Sequence, residues 1–249
     1  MRFDAASDMN YNWNWAVLFE LSPTGEGTYL HLLLVGMTWT MATTALVAVV
    51  AVILGTAIGV VRTLESPLAR TLGRVYVEIF RNIPLIVQLF LWYFVLPELL
   101  PADAGRWVKQ LPEAPFVAAV VGIGLYMSAR VAEQVRSAID SLPKGQPMAG
   151  MAMGFSTAQT YRYVLLPRAY RIIWPTLTTD LTNAVKATSV ALTIGLSELT
   201  AQANAMQEFS FQVFEAFAAA LTIYLALNMS LLFIMRRIER RITLPGFGI

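Results

Sequence analysis

Five apolar stretches alternate with short polar segments along this chain of 249 residues. A hydrocarbon core of about 30 Å takes roughly 20 residues of α-helix to cross. Runs of that kind fall at 30–61, 83–100, 116–135, 172–196 and 213–235. The pattern predicts an all-α membrane protein with five transmembrane helices. The first stretch is longer than a crossing requires, which implies tilt or a start among the headgroups. Within it Gly55 and Gly59 have the small-x3-small spacing that allows close helix packing, and Pro84 falls in the first turns of the second stretch.

Charge gives the orientation. Asp4, Asp8, Glu20 and Glu26 precede the first stretch with Arg2 as the only cation, and Glu198, Glu208 and Glu215 follow the fourth without a basic residue. Arg62, Arg70 and Arg74 follow the first stretch, and Arg136, Lys144, Arg162, Arg168 and Arg171 follow the third. The tail carries Arg236, Arg237, Arg240 and Arg241. Because Lys and Arg mark cytoplasmic loops, the N-terminus is expected outside and the C-terminus inside, with segment 143–167 in the cytosol. The expected organisation is an outer, periplasmic N-terminal segment over 1–27, a membrane domain over 28–240 and a cytoplasmic tail over 241–249.

Composition agrees with a multi-pass class: 57% of residues are hydrophobic and 14% charged. Topology accounts for the net charge of +2, so nucleic acid is not an expected partner, whereas membrane lipid is. Absence of cysteine excludes disulfides, thiol catalysis and thiolate metal sites. The single histidine, His31, falls at the outer edge of the first stretch and suits an interfacial position. No glycine-rich phosphate loop ending in Lys-Ser/Thr occurs, so the chain is not expected to hydrolyse nucleotide by itself, and no catalytic residue, metal or cofactor is expected. Residues 1–27 lack a short apolar core behind a basic start, so the first span is expected to insert as an uncleaved signal. The aromatic run Asn10-Tyr-Asn-Trp-Asn-Trp15 suits either the headgroup belt or an external partner.

Segment 143–167 is the most distinctive polar stretch. Pro147 suits the first turn of a helix, Met148, Met151 and Phe155 recur at helical spacing, and Gly154 is placed to end that helix left-handed. Ser156-Thr-Ala-Gln159 has the spacing of a capping box, and Pro167 is expected to stop the second helix. The product is a bent helical pair with a methionine face, suited to a mobile partner or to the lipid surface.

These residues resemble the cytoplasmic signature of ABC importer permeases: Glu-Ala-Ala, three residues, Gly, nine residues, Ile-x-Leu-Pro. Here Met148-Ala149-Gly150 is followed at the same spacings by Gly154 and by Val164-Leu165-Leu166-Pro167. Met148 replaces the signature Glu and Gly150 its second Ala, which removes an ionic contact but not the helix-glycine-helix shape. Phe80-Arg-Asn-Ile-Pro-Leu85 and Lys186-Ala-Thr-Ser189 resemble the polar amino acid branch. Segments 76–88, 129–136 and 161–170 look like those of its glutamate/aspartate permeases. The resemblance implies a type I ABC importer permease (MetI-like) fold in the inner (plasma) membrane of a bacterium. It implies partners as well: a cytosolic ATP-binding dimer docked on Met148, Ala149, Gly150, Met151, Gly154, Phe155 and Pro167, a second permease subunit forming a heterodimer, and an external substrate-binding protein. The implied function is ATP-driven import of glutamate and aspartate, with permeation of another polar amino acid as the alternative.

Charge inside the membrane costs roughly 2.5–3.5 kcal/mol per residue by insertion scales, so such residues usually face a cavity, a partner or another charge. Arg130 stands in the third stretch where many relatives carry an aromatic residue. Its fork suits capture of a substrate carboxylate, while pairing with Glu133 or snorkelling to the interface are the plainer alternatives. Lys186, with Thr188 and Ser189, either lines a substrate path or locks its span against the second subunit. Asp180 is six residues from Lys186 and off its helix face. Glu78 and Arg81 are expected to pair on a helix surface. An autonomous secondary transporter would need coupling-ion sites and an inverted repeat, neither of which is found. A non-transporting scaffold would leave Arg130 and Lys186 without a role.

Overall fold

The computed structural model describes residues 11–23, 25–143 and 145–242. Arg2, Asp4, Asp8, Asn10, Lys144 and tail residues 243–249 therefore lie outside the described residues. Apart from a bridge between Leu21 and Thr28, the regular structure of the described residues is helical. A 3₁₀ turn, Trp15–Phe19, precedes α1, Tyr29–Val61, which is capped by the Thr28 side chain. Then come α2, Pro67–Asn82, and α3, Leu85–Phe90; a π-turn, Leu91–Val95, leads into α4, Leu96–Leu99. Helices α5, Ala102–Lys109, and α6, Ala114–Ser141, follow. The polar segment holds α7, Gly145–Ala152, and α8, Thr157–Thr160, with a second π-turn, Tyr161–Leu165, running into α9, Leu166–Ala187. A 3₁₀ stretch, Thr188–Ile194, separates α9 from α10, Leu199–Ser210, and α11, Val213–Ile242, is last.

The expectation of five spans is corrected. Three helices, α1, α6 and α11, are long and apolar enough to cross a membrane, and the count reaches four if the bent pair α2 with α3–α4 is one span. That pair bends by 104° at Ile83 and Pro84, where proline supplies no N–H to continue α2. The stretch at 172–196 forms α9 and its 3₁₀ tail. Arg168, Arg171, Asp180 and Lys186 make α9 too polar to count as a span by length and apolarity.

Glycines let α1 and α6 meet backbone to backbone. A Cβ on Gly55 would lie 2.6 Å from Val131 Cβ and 2.7 Å from the Ser128 carbonyl, and one on Gly59 would lie 2.7 Å from Val135 Cβ. Such spacing excludes a side chain on that stripe of α1. Around this contact α6 buries Ile123, Met127, Val131 and Val135 against Val47 and Ala51 of α1 and Leu177 and Ala184 of α9. By contrast α11 exposes Leu221, Leu225, Met229 and Phe233, an outer apolar stripe suited to lipid.

The two ends of the bundle differ in charge. At one, Arg62 bonds Glu133 at 2.7 Å, while Arg136 holds Glu133 and Asp140 at 2.6 Å each. At the other, Glu198 and Glu215 are fully buried. Glu198 caps α10 through Ala201 N–H at 2.8 Å and accepts from the Tyr224 hydroxyl at 2.7 Å. Glu215 accepts from Asn14 N–H at 2.7 Å and from the Tyr11 hydroxyl, so the aromatic N-terminal run is pinned to the start of α11. Trp13 packs on Phe214 and stacks on Trp15, and both indoles stay exposed. Glu78 and Arg81, expected to pair on the surface of α2, are both exposed and form no ion pair among the described residues; at an exposed site such a pair gains little over solvation of each charge.

Candidate functional site

Local sequence builds the bent helical pair. Gly154 adopts φ +83°, the left-handed conformation that ends α7 and that costs an L-residue roughly 1–2 kcal/mol. Ser156 then caps α8: its Oγ accepts from Gln159 N–H at 3.3 Å while Gln159 Oε1 accepts from Ser156 N–H at 2.8 Å. Gly150 is buried against Thr160, whose Oγ1 a Cβ would meet at 3.2 Å, so the two short helices close on each other. The fold leaves Met148, Met151 and Met153 more than half exposed, and the half-buried Phe155 ring packs near Tyr163. Beneath them lies a cleft of about 720 Å³ lined by Pro147, Met151, Thr160, Tyr161 and Leu142. The Tyr161 hydroxyl sits 2.9 Å from that of Thr63, which ties the pair to the end of α1.

Pro167 does not stop the second helix. The run continues through it into α9, because the π-turn joins Leu166 N–H to the Tyr161 carbonyl and absorbs the donor that proline lacks. The same device carries the chain past Pro97, where Leu96 N–H reaches the Leu91 carbonyl.

The second polar feature is a seam between α6 and α9. Arg130 Nε donates to Asp180 Oδ1 at 2.9 Å and its Nη2 meets the same oxygen at 2.9 Å. Gln134 Nε2 donates to Asp180 Oδ2 at 2.5 Å, and Thr176 Oγ1 donates to Gln134 Oε1 at 2.9 Å. The Asp180 side chain is 6% exposed and that of Arg130 39%. Thr176, Thr179 and Lys186 are exposed and Asn183 is half-buried, spaced three or four apart so that they form one stripe of α9. A polar stripe that includes a lysine is costly against lipid, so it suits water or another subunit.

Residues 51–244 match the model of the family described as binding-protein-dependent transport system inner membrane component. The chain belongs to this family. The permease is 42% identical over 241 residues to the glutamate/aspartate import permease protein GltJ of Escherichia coli K12, covering 96% of this chain and 98% of that protein. It is 36% identical to the glutamine transport system permease protein GlnP of the same strain, over 76% and 83% of the two chains. A crystal structure of an amino acid ABC transporter with histidines matches at a TM-score of 0.71 and 27% identity, covering 86% of this chain and 95% of that one. An inward-facing MetNI methionine transporter shares the fold at a TM-score of 0.72 and 24% identity, over 86% and 98%. The permease is thus an amino acid ABC importer subunit of the inner membrane, the non-catalytic membrane component of its system, and its fold is the MetI-like one.

Within the permease the substrate-site residues named from sequence are divided. Arg130 pairs with Asp180 and not with Glu133, which Arg62 and Arg136 occupy from either side. Lys186 is exposed, with no ion pair among the described residues. Thr188 is fully buried and bonds the Val185 carbonyl at 2.8 Å, while Ser189 is half-buried and bonds the Lys186 carbonyl at 2.7 Å. Both hydroxyls therefore serve the helix backbone. Sequence reasoning missed Met153 as part of the methionine face. It also missed Asp180 as the partner of Arg130, although opposite charges in the middle of two apolar stretches were a usable signal.

Proposed function

We propose that the permease carries glutamate and aspartate inward in an ATP-driven importer, with Arg130 recognising the side-chain carboxylate. The observation that carries this reading is a partly exposed guanidinium, paired on its buried side with Asp180, in a seam otherwise lined by uncharged polar groups and Lys186. Likeness to a glutamate/aspartate permease supports it. Likeness to GlnP supports the second reading, transport of another polar amino acid. In this account Lys186, Ser189 and the stripe beside them line the path, and a second, non-identical permease subunit covers it. Thr188 supports the wall from behind. An external binding protein delivers substrate at the acidic end, beside the N-terminal segment. A cytosolic ATP-binding dimer docks at the basic end on Met148, Ala149, Met151 and Phe155, with Gly150, Gly154 and Pro167 shaping that surface. This account puts the N-terminus outside and the C-terminus inside, in keeping with the arginine clusters at 62–74, 136–171 and 236–241. ATP-driven closure of the dimer moves the bent pair, and α9, continuous with it through the π-turn, carries the motion to the seam.

Arg130→Gln tests the reading in the reconstituted complex. Loss of a charge-assisted contact is expected to cost about 2 kcal/mol, roughly thirtyfold in glutamate affinity, with glutamine gaining on glutamate as a competitor. Glutamate affinity and selectivity unchanged from wild type, in a variant that still co-purifies with its partners, would reject Arg130 as the recognition group.

A further inference from the structure

We infer that Asp180 is a built-in competitor for Arg130, a positioning residue that weakens the grip on an acidic substrate so that it can be released. The inference rests on the proposed role of Arg130. Arg130 turns two donors onto a single oxygen of Asp180, whose other oxygen is taken by Gln134. The carboxylate is therefore held away from the two-on-two geometry in which a guanidinium binds an anion most strongly. The pair is also asymmetric: Asp180 is sealed at 6% exposure, while Arg130 can be reached from the seam. Besides Asp180, the Tyr126 hydroxyl lies against the guanidinium. A guanidinium carries more donors than these contacts use, so a substrate carboxylate can approach while Asp180 stays in place.

The energetic consequence is specific. A bare Arg130 in a low-dielectric seam would bind glutamate tightly and free it slowly, whereas a transporter must let go in every cycle. Asp180 supplies a resident negative charge that partly neutralises Arg130. Gln134, anchored through Thr176, donates to Asp180 Oδ2 and so orients the carboxylate with a single oxygen toward Arg130. Binding and release are then set by four side chains on two helices, of which Arg130 takes the substrate carboxylate.

The test uses the purified importer complex, with radiolabelled glutamate bound in the absence of the external binding protein. Asp180→Asn is expected to tighten glutamate binding about tenfold and to lower the maximal uptake rate with the binding protein present, because release slows. Gln134→Met is expected to act in the opposite direction, weakening glutamate binding as Asp180 takes both sides of Arg130. Asp180→Glu is expected to restore wild-type affinity. A merely structural role for Asp180 would weaken binding in Asp180→Asn. An assembled Asp180→Asn complex that binds glutamate no more tightly than wild type overturns the inference. If that complex does not assemble, unchanged or tighter binding in Gln134→Met overturns it instead. Where Arg130→Gln binds glutamate as wild type does, the recognition role itself fails. Where Arg130→Gln loses binding but Asp180→Asn gains none, only the role of Asp180 fails.

Discussion

Gly55→Leu is expected to abolish accumulation of the assembled importer. Even the first carbon of a side chain at this position would lie 2.6 Å from Val131 Cβ and 2.7 Å from the Ser128 carbonyl, closer than real Cβ contacts come. One obstacle is the body of a branched residue and the other is backbone, so neither can swing aside. Relief requires α1 and α6 to separate, which would open the core that Val47, Ala51, Met127 and Val135 share with α9. Overpacking by extra methylenes typically costs about 1–3 kcal/mol, and a full leucine against backbone belongs at or beyond the upper end. Yield of the co-purified complex and its thermal midpoint in detergent are the measurements. Gly145→Ala is the matched control, since a Cβ there meets nothing within 4 Å, and near wild-type yield is expected.

Met151→Asp is expected to reduce ATP-driven uptake to background while leaving the permease itself folded. Met151 is 55% exposed, so a charge there is solvated in the free subunit and costs its fold little. At a docked apolar surface the same carboxylate would lose its water without gaining a partner, a penalty of roughly 2 kcal/mol or more. Co-purification of the ATP-binding subunit and ATP hydrolysis stimulated by loaded binding protein report the loss. Met148→Glu makes a useful contrast, because it returns the residue of the family signature and is expected to keep docking. Intact coupling in Met151→Asp would show that docking does not depend on the methionine face formed with Met148 and Met153.

How far sequence reaches can be judged from these same elements. The Gly154 break and the Ser156 capping box were legible because each is completed by residues within a few positions, so local pattern and local geometry coincide. Gly55 and Gly59 were legible as a packing stripe for the same reason, although nothing local named α6 as the partner. The end at Pro167 was misjudged because a proline normally stops a helix. Here the i−5 bond from Leu166 to Tyr161 lets the helix pass. The Arg130–Glu133 pair, one of the alternatives open to sequence, does not form: Glu133 is held by Arg62, from beyond α1, at 2.7 Å and by Arg136 at 2.6 Å.

The order of apolar stretches, the clustering of most arginines at one end and the shape of the bent pair were determined by sequence alone. Each follows from transfer energies and backbone preferences that act on neighbouring residues. The span count and the polar seam were decided only in the tertiary structure. Whether the stretch at 172–196 meets lipid or protein depends on what α1, α6 and α11 leave uncovered, and no average along the chain holds that information. Arg130 and Asp180 are 50 residues apart, and only the packing of α6 on α9 turns two isolated, costly charges into one shared site.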